Sequence, residues 1–228
     1  MRVVDIFQSK QGEGLWTGVE STFIRVGGCN LRCTFCDTPY ASWQHEEGEE
    51  LSVEEVLGRI ILLGKRHVVL TGGEPMLYAE MIPLTRQLKK MNLTVTIETA
   101  GTLELPVECN LMSISPKLSN SVPTDAPGPL LRLHQTNRFR PDVVRWLLSH
   151  YEYQLKFVVD EPEDLLEVEE YLRQFDAVNP QRVLLMPMAT DTATMREKAE
   201  WILAYCSPRG YRYCPRMQLE WFGNVRRT

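Results

Sequence analysis

The chain reads as an α/β protein of one domain, built as a partial, open β/α barrel. Three observations predict this. Strand-like apolar runs alternate with helix-like runs at roughly 30–40-residue intervals, the pattern of βα units that carry a parallel sheet. The strands are apolar on one face only, whereas a parallel strand sandwiched between two helix layers is apolar on both. And 228 residues fall slightly short of the ~250 of a complete eight-stranded β/α barrel. One sheet face should therefore pack on helices while the other lines a polar hollow.

The elements follow in order. Residues 3–7 and 21–26 read as strands, separated by the turn signals GEG and TG. Ser52-Val53-Glu54-Glu55 has the capping-box pattern, and apolar residues at helical spacing run from Val53 to Leu63, where Gly64 ends them. His67–Thr71 is a short strand that runs into Gly72-Gly73-Glu74-Pro75. A helix from about Tyr78 to Met91 and a strand at Thr94–Glu98 come next, then a strand at Leu111–Ser115. Residues 116–136, rich in proline, serine and glycine, read as a long loop, and such loops usually have a function. Helices near 138–149, 163–175 and 192–206 alternate with strands at 153–159 and 182–188, and the tail, 211–219, reads as one more strand. Parity gives the polar face: Thr94, Thr96 and Glu98 oppose Val95 and Ile97, and Gln154 and Lys156 oppose Leu155 and Phe157. Ser113 and Ser115 likewise oppose Met112 and Ile114.

Composition is that of a soluble globule, 43% hydrophobic and 24% charged. A net charge of −5 argues against a broad nucleic-acid footprint. No segment reaches the ~20 apolar residues of a membrane span and no signal peptide opens the chain, so a cytoplasmic location is expected. The basic residues Arg216, Arg226 and Arg227 read as a solvated tail, within a C-terminal extension from about residue 207.

Half of the six cysteines lie in one eight-residue span, Cys29, Cys33 and Cys36, spaced C-x3-C-x2-C. An odd trio this tight cannot pair off as disulfides, and reduced thiols suit the cytosol. Soft thiolates select zinc, copper(I) or an iron–sulfur cluster. A zinc knuckle completed by His45 is one reading; an open iron–sulfur cluster, with three thiolates and one iron free for a ligand, is the other. Gly27, Gly28 and Asn30 suit the tight loop either centre requires. Cys109, Cys206 and Cys214 are scattered and read as buried free thiols.

With the strand before it, this motif resembles the signature of the radical S-adenosylmethionine (SAM) enzymes. Within them the run QGEG-x3-G-x4-FIRVGGCNLRC-x2-CDT is similar to the 7-carboxy-7-deazaguanine synthase family. Shorter islands at Thr71–Pro75, Glu98–Thr102, Ser115–Lys117, Gln154–Lys156 and Met186–Met188 continue the resemblance. It implies a modified radical SAM core in which Cys29, Cys33 and Cys36 carry a 4Fe–4S cluster whose fourth iron is chelated by SAM. It further implies that Phe35, Gly73, Glu74, Ser115, Lys117, Gln154 and Lys156 bind SAM. Gln11, Gly12, Glu13, Arg25, Thr71 and Glu98 would hold a pterin substrate, and Thr38 a magnesium ion. The implied reaction takes 6-carboxy-5,6,7,8-tetrahydropterin to 7-carboxy-7-deazaguanine with loss of ammonia, in the 7-deazapurine (queuosine) pathway. A reductant such as flavodoxin and a homodimer are implied as well. One departure stands out: Met217-Gln218 replaces a Leu-His pair common in the family, which leaves the tail's contribution to the pocket in question. A glycyl-radical activating enzyme, a different radical SAM class, would lack the QGEG and FIR segments.

Overall fold

A computed structural model describes residues 1–43 and 48–227. His45, the fourth ligand of the zinc reading, lies outside the described residues, as do Gln44, Glu46 and Glu47. The chain opens with β1 (Arg2–Lys10) and β2 (Glu20–Val26), followed by the short α1 (Pro39–Ser42) and a two-residue β3 (Glu49–Glu50). Then come α2 (Val53–Leu63), β4 (His67–Gly72), α3 (Met81–Lys90), β5 (Thr94–Thr99) and β6 (Leu111–Ile114). Helices α4 (Gly128–Arg138) and α5 (Pro141–His150) precede β7 (Tyr153–Val159) and α6 (Asp164–Leu172). The chain closes with β8 (Val183–Pro187), α7 (Thr192–Cys206), β9 (Arg212–Tyr213) and α8 (Met217–Phe222).

Among the described residues nine strands form one sheet in the order β3-β1-β2-β4-β5-β6-β7-β8-β9. From β2 to β9 every pairing is parallel, while β1 runs antiparallel to both β2 and β3. The sheet stays open, with β3 and β9 at its edges. The expected parity holds. Val95, Ile97, Met112, Ile114, Leu155 and Phe157 are fully buried in the main core against the helices. The opposite face carries a polar row: Asp5 pairs with Arg25, Arg25 with Thr71, Glu98 with Ser113, and Ser113 with Gln154.

The capping box forms at α2: Glu55 N–H donates to Ser52 Oγ at 3.2 Å and Ser52 N–H to Glu55 Oε2 at 2.7 Å. Three expectations fail locally. The long loop at 116–136 contains most of α4, because Pro127 and Pro129 preset helical φ there while the helix carries too few apolar positions to show a periodicity. The helix expected at 138–149 is interrupted between Arg138 and Pro141. The tail strand lasts only two residues, since Pro215 has no N–H for the ladder, and α8 follows it.

Glycine is decisive at the end of β4. A Cβ on Gly73 would lie 1.9 Å from the Gly28 carbonyl oxygen, and Gly72 adopts φ 136° with Val26 O 2.2 Å from its would-be Cβ. Exposed Gly58 within α2, by contrast, faces open space. Gly73→Ala is thus expected to destabilise the fold by about 1–3 kcal/mol. Gly58→Ala should stabilise it by about 0.5–1 kcal/mol. Urea midpoints of the two variants measure both, and equal shifts would contradict the packing described.

Candidate active site

The polar face and the C-terminal ends of the parallel strands enclose a cavity of about 280 Å³. Cys29, Cys33 and Cys36 all line it and all are partly accessible. Their loop is held from two sides. Gly28 N–H donates to Ala41 O at 2.8 Å and Glu74 N–H to Gly28 O at 2.8 Å. Arg32 turns back to donate to the carbonyls of Cys29 and Leu31 and lies over Trp43. Burial, reinforced by nearby Glu74, pushes the Cys29 thiol up to about 12, and burial pushes Cys33 up to about 11. A soft metal centre that displaced those protons would compensate for that burial.

The other three cysteines are elsewhere. Cys206 is buried in the main core, Cys109 is only partly buried against it rather than enclosed as expected, and Cys214 sits buried beside Leu184 and Met186 and accepts the Gly14 N–H at 3.2 Å. The cavity therefore offers three thiols without a fourth, the donor set of a cluster with one open iron. Among the described residues no three His, Cys, Asp or Glu side chains gather around a single-ion position.

Of the residues assigned to SAM, Phe35, Gly73, Ser115, Lys117 and Lys156 line the cavity. Lys117 Nζ donates to Ser115 Oγ at 2.9 Å. Glu74 and Gln154 are placed behind the wall. The Glu74 carboxylate is wholly buried and already accepts from Met76 N–H, Thr99 Oγ and Ala100 N–H at 2.8–3.0 Å. It ties the end of β4 to the end of β5. Gln154 donates to Ser113 Oγ at 2.7 Å and accepts the Leu15 N–H at 2.8 Å, so its amide ties the Gln11–Leu15 segment to β6.

Of the residues assigned to substrate, Gln11, Gly12, Glu13, Arg25, Thr71 and Glu98 all line the cavity. Gln11 Nε2 lies 3.0 Å from Nδ1 of buried His67, whose Nε2 reaches Thr96 Oγ at 2.9 Å. Burial drives the His67 pKa down to about 4, so it is a neutral acceptor for that amide. Thr71 Oγ donates to Glu98 Oε2 at 2.7 Å, which fixes the carboxylate at the cavity wall. Arg25 stands 3.7 Å from Asp5, over the Phe7 ring that stacks on Phe23, and its buried Nε has no hydrogen-bond partner. Thr38 also lines the cavity, and its hydroxyl makes no cap bond to α1.

Glu13 organises the centre. Its carboxylate accepts from Lys156 Nζ, from Arg216 Nε at 3.1 Å and from Gln218 Nε2 at 2.7 Å. Burial works against the charge, but Lys156 and Arg216 hold the Glu13 pKa far below the usual carboxylate range. The lumenal lysine thus finds its anion within the chain. Sequence reasoning missed Arg216 and Gln218, read as tail residues. Arg216 also donates to Ala189 O at 2.5 Å and to Asp37 Oδ2 at 2.7 Å, and so joins β8 to the cysteine loop. Gln218 packs on Gly12, where a Cβ would lie 2.0 Å from its Oε1, and Met217 N–H donates to Gly12 O at 2.9 Å. Arg226 and Arg227 are not a free tail either: they converge on buried Asp5 at 3.1 and 2.7 Å. No local signal marked these returns except Pro215, which ends the strand before them.

Glu13→Gln keeps the shape but leaves Lys156 and Arg216 without their carboxylate. A loss of about 1–3 kcal/mol in urea unfolding is expected, below a fully buried pair because the cavity admits water. An unchanged midpoint would show that water already screens these charges.

Among the described residues no helix is long and apolar enough to cross a membrane. Residues 23–115 match the model of the Radical SAM superfamily. The chain is 43% identical to a 7-carboxy-7-deazaguanine synthase of Rhodopirellula baltica, over 99% of this chain and 88% of that one. With the synthase of Halobacterium salinarum the identity is 34%, over 98% and 91% of the two chains. The crystal structure of QueE from Escherichia coli superposes with a TM-score of 0.72 at 26% identity, covering 95% of this chain and 93% of that one. A radical SAM match that spans the cysteine loop, and full-length relatives of one name, agree with the three-thiol cavity: the chain belongs to the 7-carboxy-7-deazaguanine synthase family of the radical SAM superfamily.

Proposed function

We propose that this chain converts 6-carboxy-5,6,7,8-tetrahydropterin to 7-carboxy-7-deazaguanine and ammonia. The transformation is redox-neutral overall, a ring contraction with loss of one nitrogen. The observation that carries the reading is the convergence, on one cavity, of three cysteine thiols with the polar row Arg25, Thr71 and Glu98. Cys29, Cys33 and Cys36 would hold a 4Fe–4S cluster. Cluster and SAM together supply, when bound, a 5′-deoxyadenosyl radical that removes and later returns one substrate hydrogen.

The chain's own residues bind and orient. Arg25 offers a guanidinium whose buried Nε lacks a partner, suited to bidentate capture of the substrate carboxylate. Glu98, oriented by Thr71, accepts from the amino and ring N–H groups of the pterin, with Gln11 held by His67 beside it. Such polar readers discriminate strongly, because an analogue that lacks a matching group leaves them buried and unpaired. Phe35, Gly73, Ser115 and Lys117 form the wall assigned to SAM. Glu74 and Gln154 support that wall from behind, and Lys156 shares Glu13 with Arg216. Gly12 accommodates Gln218, which adds a tail-borne reader to the pocket. Thr38, whose hydroxyl makes no cap bond, would be the protein's ligand to a magnesium ion that neutralises the substrate carboxylate. A low-potential carrier such as flavodoxin, a homodimer and a cytoplasmic setting complete the reading, and for these the support is the family resemblance alone.

The test is anaerobic reconstitution with iron and sulfide, then product analysis with SAM, reductant, Mg2+ and the carboxy-tetrahydropterin. Formation of 7-carboxy-7-deazaguanine is expected, together with loss of the brown chromophore in Cys33→Ala. SAM cleavage without the deazapurine would sink the substrate, and bound zinc in place of iron would sink the enzyme. Arg25→Lys should lower kcat/KM by about 10- to 100-fold, the value of one charge-assisted pair. The turnover rate at saturating substrate should fall by less, because the lost contact raises KM more than it lowers kcat. Chelation of divalent ions should lower turnover, and added Mg2+ should restore it.

A further inference from the structure

Helix α4 is poorly explained by core packing. Its one buried side chain is polar, His134, while Leu130 and Leu133 are exposed. That histidine is fully enclosed and reaches the cysteine loop: Arg32 N–H donates to His134 Nδ1 at 3.0 Å. The donor pattern is consistent along its whole length. With Nδ1 accepting, Nε2 carries the proton and donates to Ser121 Oγ at 3.0 Å, and Ser121 Oγ donates to Leu118 O at 2.6 Å. The same Ser121 accepts Thr34 N–H on its carbonyl at 3.0 Å, and Asn137 Nδ2 on α4 donates to Asn30 O at 3.0 Å. Backbone groups of Asn30, Arg32 and Thr34, spread through the span from Cys29 to Cys36, are thus all satisfied by segment 118–138.

We infer that His134, with Ser121 and Asn137, is a positioning device that holds the cysteine loop in its cluster-binding shape independently of the cluster. The inference rests on the proposed cluster at Cys29, Cys33 and Cys36. The physical reason is direct. An apolar replacement leaves the part-buried Arg32 amide facing an apolar side chain without an acceptor, and the loop escapes that penalty by moving away. Because α4 buries little else, global stability should change little.

Two readouts test this. In iron-free protein, hydrogen exchange of peptides covering residues 30–36 should quicken about tenfold in His134→Leu, with the thermal midpoint nearly unchanged. In reconstituted protein, the same variant should release iron to a chelator about tenfold faster. His134→Asn, whose Oδ1 can accept the Arg32 amide, should restore most of both, and Asn137→Ala should show a smaller effect of the same kind. Unchanged exchange and iron release in His134→Leu would overturn the inference, as would a matching rise in global unfolding. Failure of the wild-type chain to take up iron would instead defeat the cluster reading, and the exchange measurement would still decide whether the clamp exists.

Discussion

The backbone seam between the end of β4 and the cysteine loop is the constraint on which the site depends. Gly73 passes so near Gly28 that no side chain fits between them, and Glu74 N–H closes the seam on Gly28 O. This fixes the start of the loop to the sheet. Glu74 then fastens the same point to Thr99 and Ala100, so three strand ends move as one body. A buried carboxylate with three donors is a rigid strut. The thiols therefore project from a platform whose position is set by backbone geometry rather than by long side chains.

A second constraint is electrostatic. Lys156 and Arg216 both line the cavity, and the partly buried carboxylate of Glu13 holds them there. Without it two cations would share a partly desolvated space, which is costly. The arrangement also joins the N-terminal segment to the chain's end. Arg216 reaches Asp37 on the cysteine loop, and Arg226 and Arg227 share Asp5 with Arg25. With the two tail arginines at Asp5, Arg25 keeps a weak, long ion pair there and an unused Nε. The tail thereby bears on the group best suited to receive an anion.

The comparison with known structures fits this division. Agreement over nearly the whole chain with QueE from Escherichia coli, at 26% identity, means that the frame tolerates wide change in sequence. SuiB from Streptococcus suis, at 14% identity and a TM-score of 0.56, shares the fold alone. In this chain the pleat turns one strand face inward, and the glycine seam holds the start of the cysteine loop against it.

By itself the sequence determined the alternation of strand and helix, the polar parity of β5, β6 and β7, the capping box of α2 and the clustering of three cysteines in one eight-residue span. These are legible because they are local: covalent spacing and the two-residue period of a strand fix them whatever the rest of the chain does. Tertiary structure alone decided that Glu74 and Gln154 stand behind the wall, that Lys156 is paired within the chain, and that α4 is built around one buried histidine. It also decided that Arg216 and Gln218 return to the cavity from more than 200 positions away. An arginine after Cys-Pro looks the same whether it is solvated or buried against Glu13; only the closing of the sheet's long connections, which carries no local periodicity, tells the two apart.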